Sequence, residues 1–362
     1  MKQSVKFAAA MGALTLALTA CAGNGNVAQQ SDGAKAELPF KACAVSDTGG
    51  WQDKSFNQSA YDGLMEAKSF LGVTVDTAES DTVEDFTSNV EKMVDDSCTL
   101  IIGVGFHLEP AVHESALKHT DRNYALIDST FSDGTNPVVL ENGRPLLFNT
   151  SEAAYLAGYA SAAMTKTGKV ATFGGAQIPA VTVFMDGFAD GVNAYNQAKG
   201  ASVQVLGWDK ETQTGAFTDS FDDQSLGLQQ AQQFISEGAD IIMPVAGAVG
   251  LGAAAAAKSS GNTLIVGVDT DWYEANPQYS SIVLTSVRKE IGAAVEQAIQ
   301  DSTKGKFTSD PYVGTLANGG VSLAPFHDFE AQVPMEVKQE ISKLTEQIKK
   351  GTLVIESENA PK

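Results

Sequence analysis

Acidic residues, glycines and aromatics follow several short apolar runs of this sequence, and these side chains are suited to hold a small molecule. An ionised carboxylate accepts two hydrogen bonds from a diol or from ring N–H groups. An aromatic ring offers a flat apolar face, and glycine lets a ligand come close. For any one aspartate, a helix cap at a strand–helix turn is the alternative role. The positions are Asp47, Gly105, Phe106, Asp128, Gly174, Gly175, Gly207, Trp208, Gly247 and Asp269.

The segment Asp53–Tyr61 is the most specific pattern in the chain. Ser55 and Gln58 have the spacing of a capping box, so we expect a helix to begin there. Phe56 and Asn57 then fall in its first turn, which places an aromatic ring beside an amide with both a donor and an acceptor. The alternatives are a core role for Phe56 and a structural turn role for Asn57.

The order of predicted elements explains how these positions could meet. From residue 38 onward, short apolar runs alternate with helix-length amphipathic segments, which is typical of a doubly wound parallel sheet. In such sheets ligands bind beyond the carboxyl ends of the strands. The predicted strands are Ala42–Val45, Val73–Thr77, Leu100–Val104, Tyr124–Ile127, Val138–Leu140, Leu146–Phe148, Val170–Phe173, Val203–Leu206, Ile241–Val245, Leu264–Val268 and Ile282–Thr285. They are too many for one modest sheet, so we predict two lobes.

The predicted division places 38–148 plus 281–308 in lobe one and 149–280 plus 309–355 in lobe two. Residues 149–152 resemble a capping box that opens a long helix as the chain leaves lobe one. We expect the strand Ile282–Thr285 and the helix Val287–Gln300 to return to lobe one. Residues Met335–Lys350 are expected to form a terminal amphipathic helix on lobe two.

The amino terminus looks like an export signal. Two lysines precede the apolar stretch 7–20, and Leu18-Thr19-Ala20-Cys21 closes it in the manner of a bacterial lipoprotein signal. A stretch of this length is too short to span a bilayer. We therefore expect residues 1–20 to be removed, a lipid on Cys21 to anchor the chain on the extracytoplasmic face of the cell membrane, and residues 21–37 to form a flexible tether. An ordinary secretory signal with a chance cysteine is the alternative.

Charge and motif content exclude several classes of function. A formal net charge of -20 without a basic stripe argues against binding nucleic acid. No run after the leader is long and apolar enough to predict a further membrane span. The sequence has no phosphate-binding G-x-x-x-x-G-K-[ST] motif, and its four histidines are not spaced as a ligand set. We predict neither a metal nor a cofactor.

Cys43 and Cys98 each lie at the start of a strand-like apolar run. If those strands are parallel neighbours, the sulfurs could meet, and an oxidising compartment permits a disulfide. Two buried free thiols are equally consistent with the sequence.

Five strings together carry a resemblance to a known family: Asp53–Tyr61, Ile102–Phe106, Tyr155–Tyr159, Gly267–Asp269 and Thr285–Lys289. They are similar to the basic membrane protein family, whose members are lipid-anchored substrate-binding subunits of ABC importers, typified by purine nucleoside receptors. The likeness extends over roughly residues 40–350. It implies an α/β, type I periplasmic-binding-protein fold, with two doubly wound lobes joined by a multi-strand hinge, and a nucleoside ligand.

The resemblance also implies how a base would be held. Phe56 would stack on one face of the base, and Asn57 and Asp128 would hydrogen-bond its edge. Stacking of a base on an aromatic ring is worth about 1–3 kcal/mol. By spacing from Asp269, the aromatic on the opposite face would be Phe217; the alternatives are Trp208, Phe184 and Trp272.

The same resemblance implies how the sugar would be held. Asp269 and Lys289 would bind the ribose hydroxyls, Asp47 would line the cleft, and Gly247 would leave room for the sugar. Lys289 would also balance the charge of a buried carboxylate, whereas a surface-exposed lysine is the simpler alternative.

The predicted function is capture of nucleosides, purine nucleosides above all, by a monomeric binding subunit whose lobes close about a hinge. A membrane permease would receive the ligand, and a separate ATPase subunit would supply the energy. A sugar-binding protein of the same fold is the main alternative. A metal-dependent nucleoside hydrolase is disfavoured, because no loop groups the several carboxylates that a calcium site needs. An adhesin that leaves the cleft empty stays open.

Overall fold

The computed structural model describes residues 40–361, so the predicted leader, Cys21 and the tether lie outside the described residues. The strands are β1 (Lys41–Val45), β2 (Thr74–Ala78), β3 (Leu100–Val104), β4 (Asn123–Ile127), β5 (Gly143–Phe148), β6 (Lys169–Gly174), β7 (Gln204–Leu206), β8 (Trp208–Asp209), β9 (Thr214–Gly215), β10 (Ile241–Val245), β11 (Leu264–Asp269), β12 (Val283–Lys289), β13 (Tyr312–Gly314) and β14 (Val321–Leu323). The α-helices are α1 (Phe56–Leu71), α2 (Asp85–Asp95), α3 (Glu109–Lys118), α4 (Ser151–Met164), α5 (Pro179–Lys199), α6 (Gln224–Ser236), α7 (Val249–Ser260), α8 (Trp272–Ala275), α9 (Ile291–Thr303) and α10 (Met335–Lys349).

Sheet one has six strands in the order β13-β5-β4-β3-β1-β2, and all of its pairs are parallel. Its central strand β3 is buried at every residue, as expected for a parallel sheet covered on both faces. Helices α1 and α9 pack together against one face, and α2 and α3 cover the other with a separate apolar core. We call this sheet and its helices lobe one.

Sheet two has the order β14-β12-β11-β10-β6-β7, in which only β14 runs antiparallel to its neighbour. We call this sheet, with α4–α8 and α10, lobe two. Its helices α4 and α5 lie very close together because small residues face each other. A Cβ on Gly191 would lie 1.9 Å from the carbonyl oxygen of Tyr155, so only glycine permits this approach.

Strand β12 lies in sheet two, where it pairs in parallel with β11, so the prediction that this run returns to lobe one is wrong. The run extends to Lys289, longer than predicted, and the chain crosses only after it. Helix α9 then packs on α1 in lobe one, as expected, although it begins at Ile291 rather than Val287. Strand β13 also belongs to sheet one, within a segment expected in lobe two.

The predicted strand Val138–Leu140 does not form. The backbone N–H of Val138 instead donates to the carbonyl of Phe131, and an isolated bridge joins Ser132 to Pro137. Proline lacks the N–H that a central strand requires, so this apolar run is held in a loop before β5.

Three segments of chain connect the lobes: one between β5 and α4, one between β12 and α9, and one between β13 and β14. Several connections between two lobes restrict their relative motion to a hinge.

Within residues 40–361, no helix combines the length and the apolar character needed to cross a bilayer.

Cys43 and Cys98 form a disulfide, which resolves the two possibilities that the sequence left open. Cys43 is in the middle of β1, and Cys98 precedes β3, the neighbouring parallel strand. Their Cα atoms are 5.9 Å apart, and both residues are wholly buried. The bridge closes a loop that includes α1, β2 and α2.

We expect the double variant Cys43→Ser/Cys98→Ser to have a free energy of unfolding about 2–4 kcal/mol lower than the wild type, because the unfolded chain regains the entropy of the open loop. Urea unfolding curves would measure this difference. The wild type under a strong reductant should match the variant. Equal stability of oxidised wild type and variant would show that the bridge contributes nothing.

Candidate ligand-binding site

A cavity lies between the lobes, where the carboxyl ends of strands from both sheets face each other. It encloses about 620 Å³ of space between atoms, including the part that opens to solvent. Its walls carry the carboxylates of Asp47, Asp53, Asp128 and Asp269, the rings of Phe56, Phe106, Phe184 and Phe221, the amide of Asn57, and the ammonium of Lys289.

Most of the residues that the sequence singled out therefore meet at one place. Those of the predicted set that line the cavity are Asp47, Phe56, Asn57, Asp128, Gly247, Asp269 and Lys289. They come from both lobes, so the cavity is shared between the lobes. Phe217 is not among the lining residues of the described chain.

Lys289 is the chemical centre of the cavity. It is the last residue of β12, it is only 4% exposed, and its ammonium forms an ion pair with Asp128 at the end of β4 in the other lobe. Asp269, at the end of β11, lies 3.8 Å from the same ammonium. The alternative of a surface lysine is thus wrong, because this side chain is buried with charge partners on both sides.

Aromatic rings surround the same ammonium. Its nitrogen lies 5.0 Å from the ring centre of Phe56, 5.3 Å from that of Phe184 and 5.7 Å from that of Phe148. These distances permit attraction between the cation and the negative ring faces. The cavity therefore combines flat apolar walls with a buried cluster of charges.

Asp128 and Asp269 both have left-handed backbone conformations, with φ angles of 64° and 67°. Such conformations are uncommon outside glycine and concentrate at functional sites. Burial raises the pKa of Asp128 above its ordinary value of 3.8, and the nearby Lys289 ammonium opposes this rise. The left-handed conformation turns each chain sharply where its strand ends, so that both carboxylates face the cavity.

Asn57 connects two carboxylates at the lobe-one wall. Its Nδ2 donates to Asp47 Oδ1 at 2.7 Å and to Asp53 Oδ2 at 3.2 Å. These two acceptors determine the amide orientation, since the reverse orientation would place an oxygen against both carboxylates. Asn57 Oδ1 is consequently buried without a donor from the described residues. Burial raises the pKa of Asp47, while hydrogen bonds from Gly49 and Asn57 oppose the rise.

The helix α1 begins where the capping-box pattern predicted, but a different side chain caps it. Asp53 Oδ1 accepts hydrogen bonds from the backbone N–H groups of Ser55 at 2.9 Å and Gln58 at 3.0 Å, and Oδ2 accepts one from Asn57 at 2.8 Å. The Ser55 side chain makes no capping bond. Ser55 thus occupies the N-cap position, as the spacing predicts, but the capping bonds come from the Asp53 carboxylate, which is the stronger acceptor and reaches three donors at once.

Gly105 allows the chain to leave β3 beside this network. Its φ angle is 110°, and a Cβ at this position would lie 2.9 Å from Asp47 Oδ2. A larger residue would therefore displace the Asp47 carboxylate from the wall.

Phe217 lies outside the cavity because the backbone around it pairs with the end of β6. Gly174 donates to the Ala216 carbonyl and accepts from the Thr218 N–H, both at 3.0 Å. This pairing directs the Phe217 ring towards Trp208, with 6.0 Å between ring centres. The prediction of Phe217 as the second aromatic wall therefore does not agree with the structure.

Phe221 and Phe184 are the aromatic residues that lobe two contributes to the cavity. Phe184 was a candidate from the sequence, whereas Phe221 was missed. The only signal for Phe221 was its place in the same segment as Phe217, before the Asp223 cap of α6. The two tryptophan candidates have partners elsewhere: Trp208 donates to buried Asp186, and Trp272 is wholly buried and donates to the Val268 carbonyl.

His107 is a further cavity residue that the sequence reasoning did not assign to the site. It is exposed at the mouth, and its ring meets the Phe221 ring edge-on across the cleft, with 6.3 Å between centres. It lies next to Phe106, whose position after β3 was its only signal in the sequence.

Comparison with known proteins decides the family. Residues 40–358 match the Bmp family, described as "ABC transporter substrate-binding protein PnrA-like". The chain belongs to this family. Members of the Bmp family are substrate-binding proteins of ABC transporters, not enzymes, in agreement with the prediction from sequence.

Named relatives of the Bmp family extend over nearly the whole chain. The "ABC transporter nucleoside-binding protein BmpA" of Lactococcus lactis is 29% identical over 341 residues, which cover 89% of this chain and 91% of the relative. "Basic membrane protein A" of Borreliella burgdorferi is 28% identical, covering 95% of this chain and 93% of the relative.

A solved structure supports the fold. An ABC transporter solute-binding protein from Aeropyrum pernix K1 superposes with a TM-score of 0.77 and 25% identity, covering 87% of this chain and 93% of that protein. The Bmp-family chain described here thus has the periplasmic-binding-protein fold that its two parallel-sheet lobes indicate.

The pKa of Asp53 generates a prediction on stability. Burial raises this pKa from 3.8 to about 6, although three backbone N–H groups oppose the rise. Because the folded state then holds the proton more tightly than the unfolded chain, the resulting stabilisation is complete below about pH 4 and is lost as the pH rises through about 6. We therefore expect the unfolding free energy of the wild type, minus that of Asp53→Asn, to fall by up to about 3 kcal/mol as the pH rises through this interval.

Urea unfolding of both proteins at several pH values between 4 and 7 measures this difference. Subtracting the two curves removes the titration of the carboxylates that do not interact with Asp53. A difference that stays constant, or that grows with rising pH, would contradict the raised pKa of Asp53.

Proposed function

We propose that the protein captures nucleosides, with purine nucleosides preferred, in the interlobe cavity and delivers them to an ABC permease. The observation that carries this proposal is the convergence of Phe56, Asp128, Asp269 and Lys289 from two lobes on one cavity. A nucleoside has one flat heterocycle and one pentose, and this cavity offers aromatic walls together with paired charges. The name of the Lactococcus relative, a nucleoside-binding protein, supports the same ligand class.

The lobe-one wall is suited to a base. Phe56 provides a flat face, and stacking tolerates several bases because every base has a π-face. The unpaired acceptor Asn57 Oδ1 requires a donor, which a ring N–H or an exocyclic amino group would supply. Asp47 and Asp128 add acceptors at the same wall. A ligand without such donors would leave buried acceptors unpaired and would bind weakly.

The lobe-two wall is suited to a pentose. Asp269 accepts hydrogen bonds from a diol, and Lys289 donates to a hydroxyl oxygen while its charge remains balanced by Asp128. Gly247 lies in the same wall and has no side chain to exclude the sugar. In this arrangement the polar groups that bind the base and those that bind the sugar lie on opposite lobes.

The charge balance of the cavity disfavours nucleotides. Its lining carries four carboxylates and the single ammonium of Lys289, which is already paired with Asp128. A phosphate group would meet excess negative charge, and no arginine is among the residues that line the cavity. The proposed ligand is therefore an uncharged nucleoside.

Transport would follow from hinge closure. The three connecting segments let the lobes close on the ligand, and the closed form would be the one presented to the permease. A separate ATPase subunit would supply energy.

We also propose that the protein acts as a monomer and that a lipid on Cys21 holds it at the extracytoplasmic face of the membrane. Mass spectrometry of the mature amino-terminal peptide would test for the lipid.

Calorimetric titration tests the proposed ligand class directly. We expect inosine, guanosine and adenosine to bind, cytidine to bind less tightly, and ribose and galactose not to bind. Phe56→Ala and Asp269→Ala should each weaken inosine binding by about 1–3 kcal/mol while the protein remains folded. Binding of ribose or galactose without any nucleoside would instead favour a sugar carrier, and unchanged inosine affinity in both variants would place the site elsewhere.

A second pair of variants identifies the aromatic wall of lobe two. Phe221 lines the cavity and Phe217 does not, although they are four residues apart. We expect Phe221→Ala to weaken inosine binding by about 1–3 kcal/mol and Phe217→Ala to change it by much less. Titration of both variants, after circular dichroism has shown that they are folded, measures this contrast. A larger loss in Phe217→Ala would reverse the assignment.

A further inference from the structure

Ser55 has the sequence context of a helix cap but a different set of contacts. It precedes the first residue of α1, and it is 1% exposed. The neighbouring Asp53 carboxylate takes the capping role and accepts the Ser55 backbone N–H. The Ser55 hydroxyl is therefore free to bind another group.

The Ser55 hydroxyl of lobe one contacts two groups of lobe two. Its Oγ donates to Asp269 Oδ2 at 2.8 Å and lies 3.4 Å from the Val268 carbonyl oxygen. The adjacent Thr270 hydroxyl donates to the Lys54 carbonyl at 3.3 Å, so the start of α1 and the end of β11 meet at two successive positions. The Ser55 contact is the shorter one, and both of its partners are buried.

The Asp269 carboxylate depends on this contact for its orientation. Among residues 40–361, the Ser55 hydroxyl is the group that donates a hydrogen bond to it. Lys289 is 3.8 Å away, beyond hydrogen-bond distance, and its ammonium is bound to Asp128. The lysine thus supplies charge balance to Asp269, but the direction of the carboxylate is set from the other lobe.

We propose that Ser55 is a positioning residue for ligand binding: its hydroxyl holds the Asp269 carboxylate in the orientation that receives the sugar hydroxyls. This inference rests on the proposed nucleoside function. The Ser55–Asp269 contact couples ligand recognition to lobe closure, because a lobe-one side chain orients an acceptor on lobe two only when the lobes are together. With Ser55 Oγ on Oδ2, Asp269 Oδ1 is left for the ligand.

The test compares two ligands in matched variants. Ser55→Ala removes the hydroxyl but keeps the backbone N–H that Asp53 accepts, so the helix start is preserved. Ser59→Ala removes a hydroxyl one turn further along the same helix and serves as the control. Inosine and 2′,3′-dideoxyinosine, which lacks the 2′- and 3′-hydroxyls but keeps the 5′-hydroxyl, are titrated by calorimetry into the wild type and each variant.

We expect Ser55→Ala to weaken inosine binding roughly ten- to hundredfold, the usual value of a hydrogen bond to a charged group, and to weaken dideoxyinosine binding by less than about twofold. Ser55→Thr, which restores a hydroxyl, should recover most of the inosine affinity, and Ser59→Ala should match the wild type for both ligands. An equal loss for both ligands in Ser55→Ala, or no loss for either, overturns the inference.

A ligand-free measurement separates this inference from the proposed function. If the wild type binds no nucleoside, the proposed function fails, and amide hydrogen exchange then decides the role of Ser55. We expect faster exchange at residues 264–271 in ligand-free Ser55→Ala than in Ser59→Ala, because the ligand-free population includes closed molecules, in which the Ser55 contact with Asp269 forms and the alanine variant lacks it. Identical exchange in the two variants would overturn the role of Ser55 independently of any ligand.

Discussion

The site depends on one buried ammonium shared by two lobes. Lys289 ends a strand of sheet two, and its carboxylate partner Asp128 ends a strand of sheet one. A buried charge is tolerated only when it is paired and hydrogen-bonded, so this ion pair is satisfied when the strand ends of both lobes face each other. The second carboxylate, Asp269, lies close enough to be balanced by the same charge but is not hydrogen-bonded to it. One lysine thereby pairs with Asp128 across the lobes and leaves Asp269 without a hydrogen bond from its ammonium.

The arrangement around this ammonium follows from the chain direction of parallel sheets. The strands of each sheet that surround the cavity end at the same edge, and the polar residues that follow them are collected there. Asp128 and Asp269 adopt left-handed conformations because the chain must turn sharply where each strand ends. The aromatic rings of Phe56 and Phe184 line the same cavity, with their centres 5.0 and 5.3 Å from the ammonium nitrogen, at distances that permit cation–π attraction.

Three local sequence patterns gave wrong predictions, because in each case the residues had more than one possible partner or position. The spacing of Ser55 and Gln58 correctly located the start of α1, but a nearby carboxylate, Asp53, displaced the serine as the cap. Spacing along the chain likewise favoured Phe217 over Phe221, because the backbone pairing with Gly174 that turns the first ring away arises only in the folded protein. The strand β12 was assigned to the wrong lobe for the same kind of reason, since its apolar run fits either sheet equally well.

By itself, the sequence determined the alternation of strands and helices, the existence of two lobes, and the polar residues that terminate strands, because hydrophobic period and strand ends are local properties. These local properties were sufficient to identify Asp128, Asp269, Phe56 and Asn57 as candidates for the site. Tertiary structure alone decided that Cys43 and Cys98 join, that Lys289 pairs across the lobes, and that the Ser55 hydroxyl reaches Asp269. Each of these is a contact between segments far apart in the chain, and local composition carries no information on which distant partner a side chain will meet.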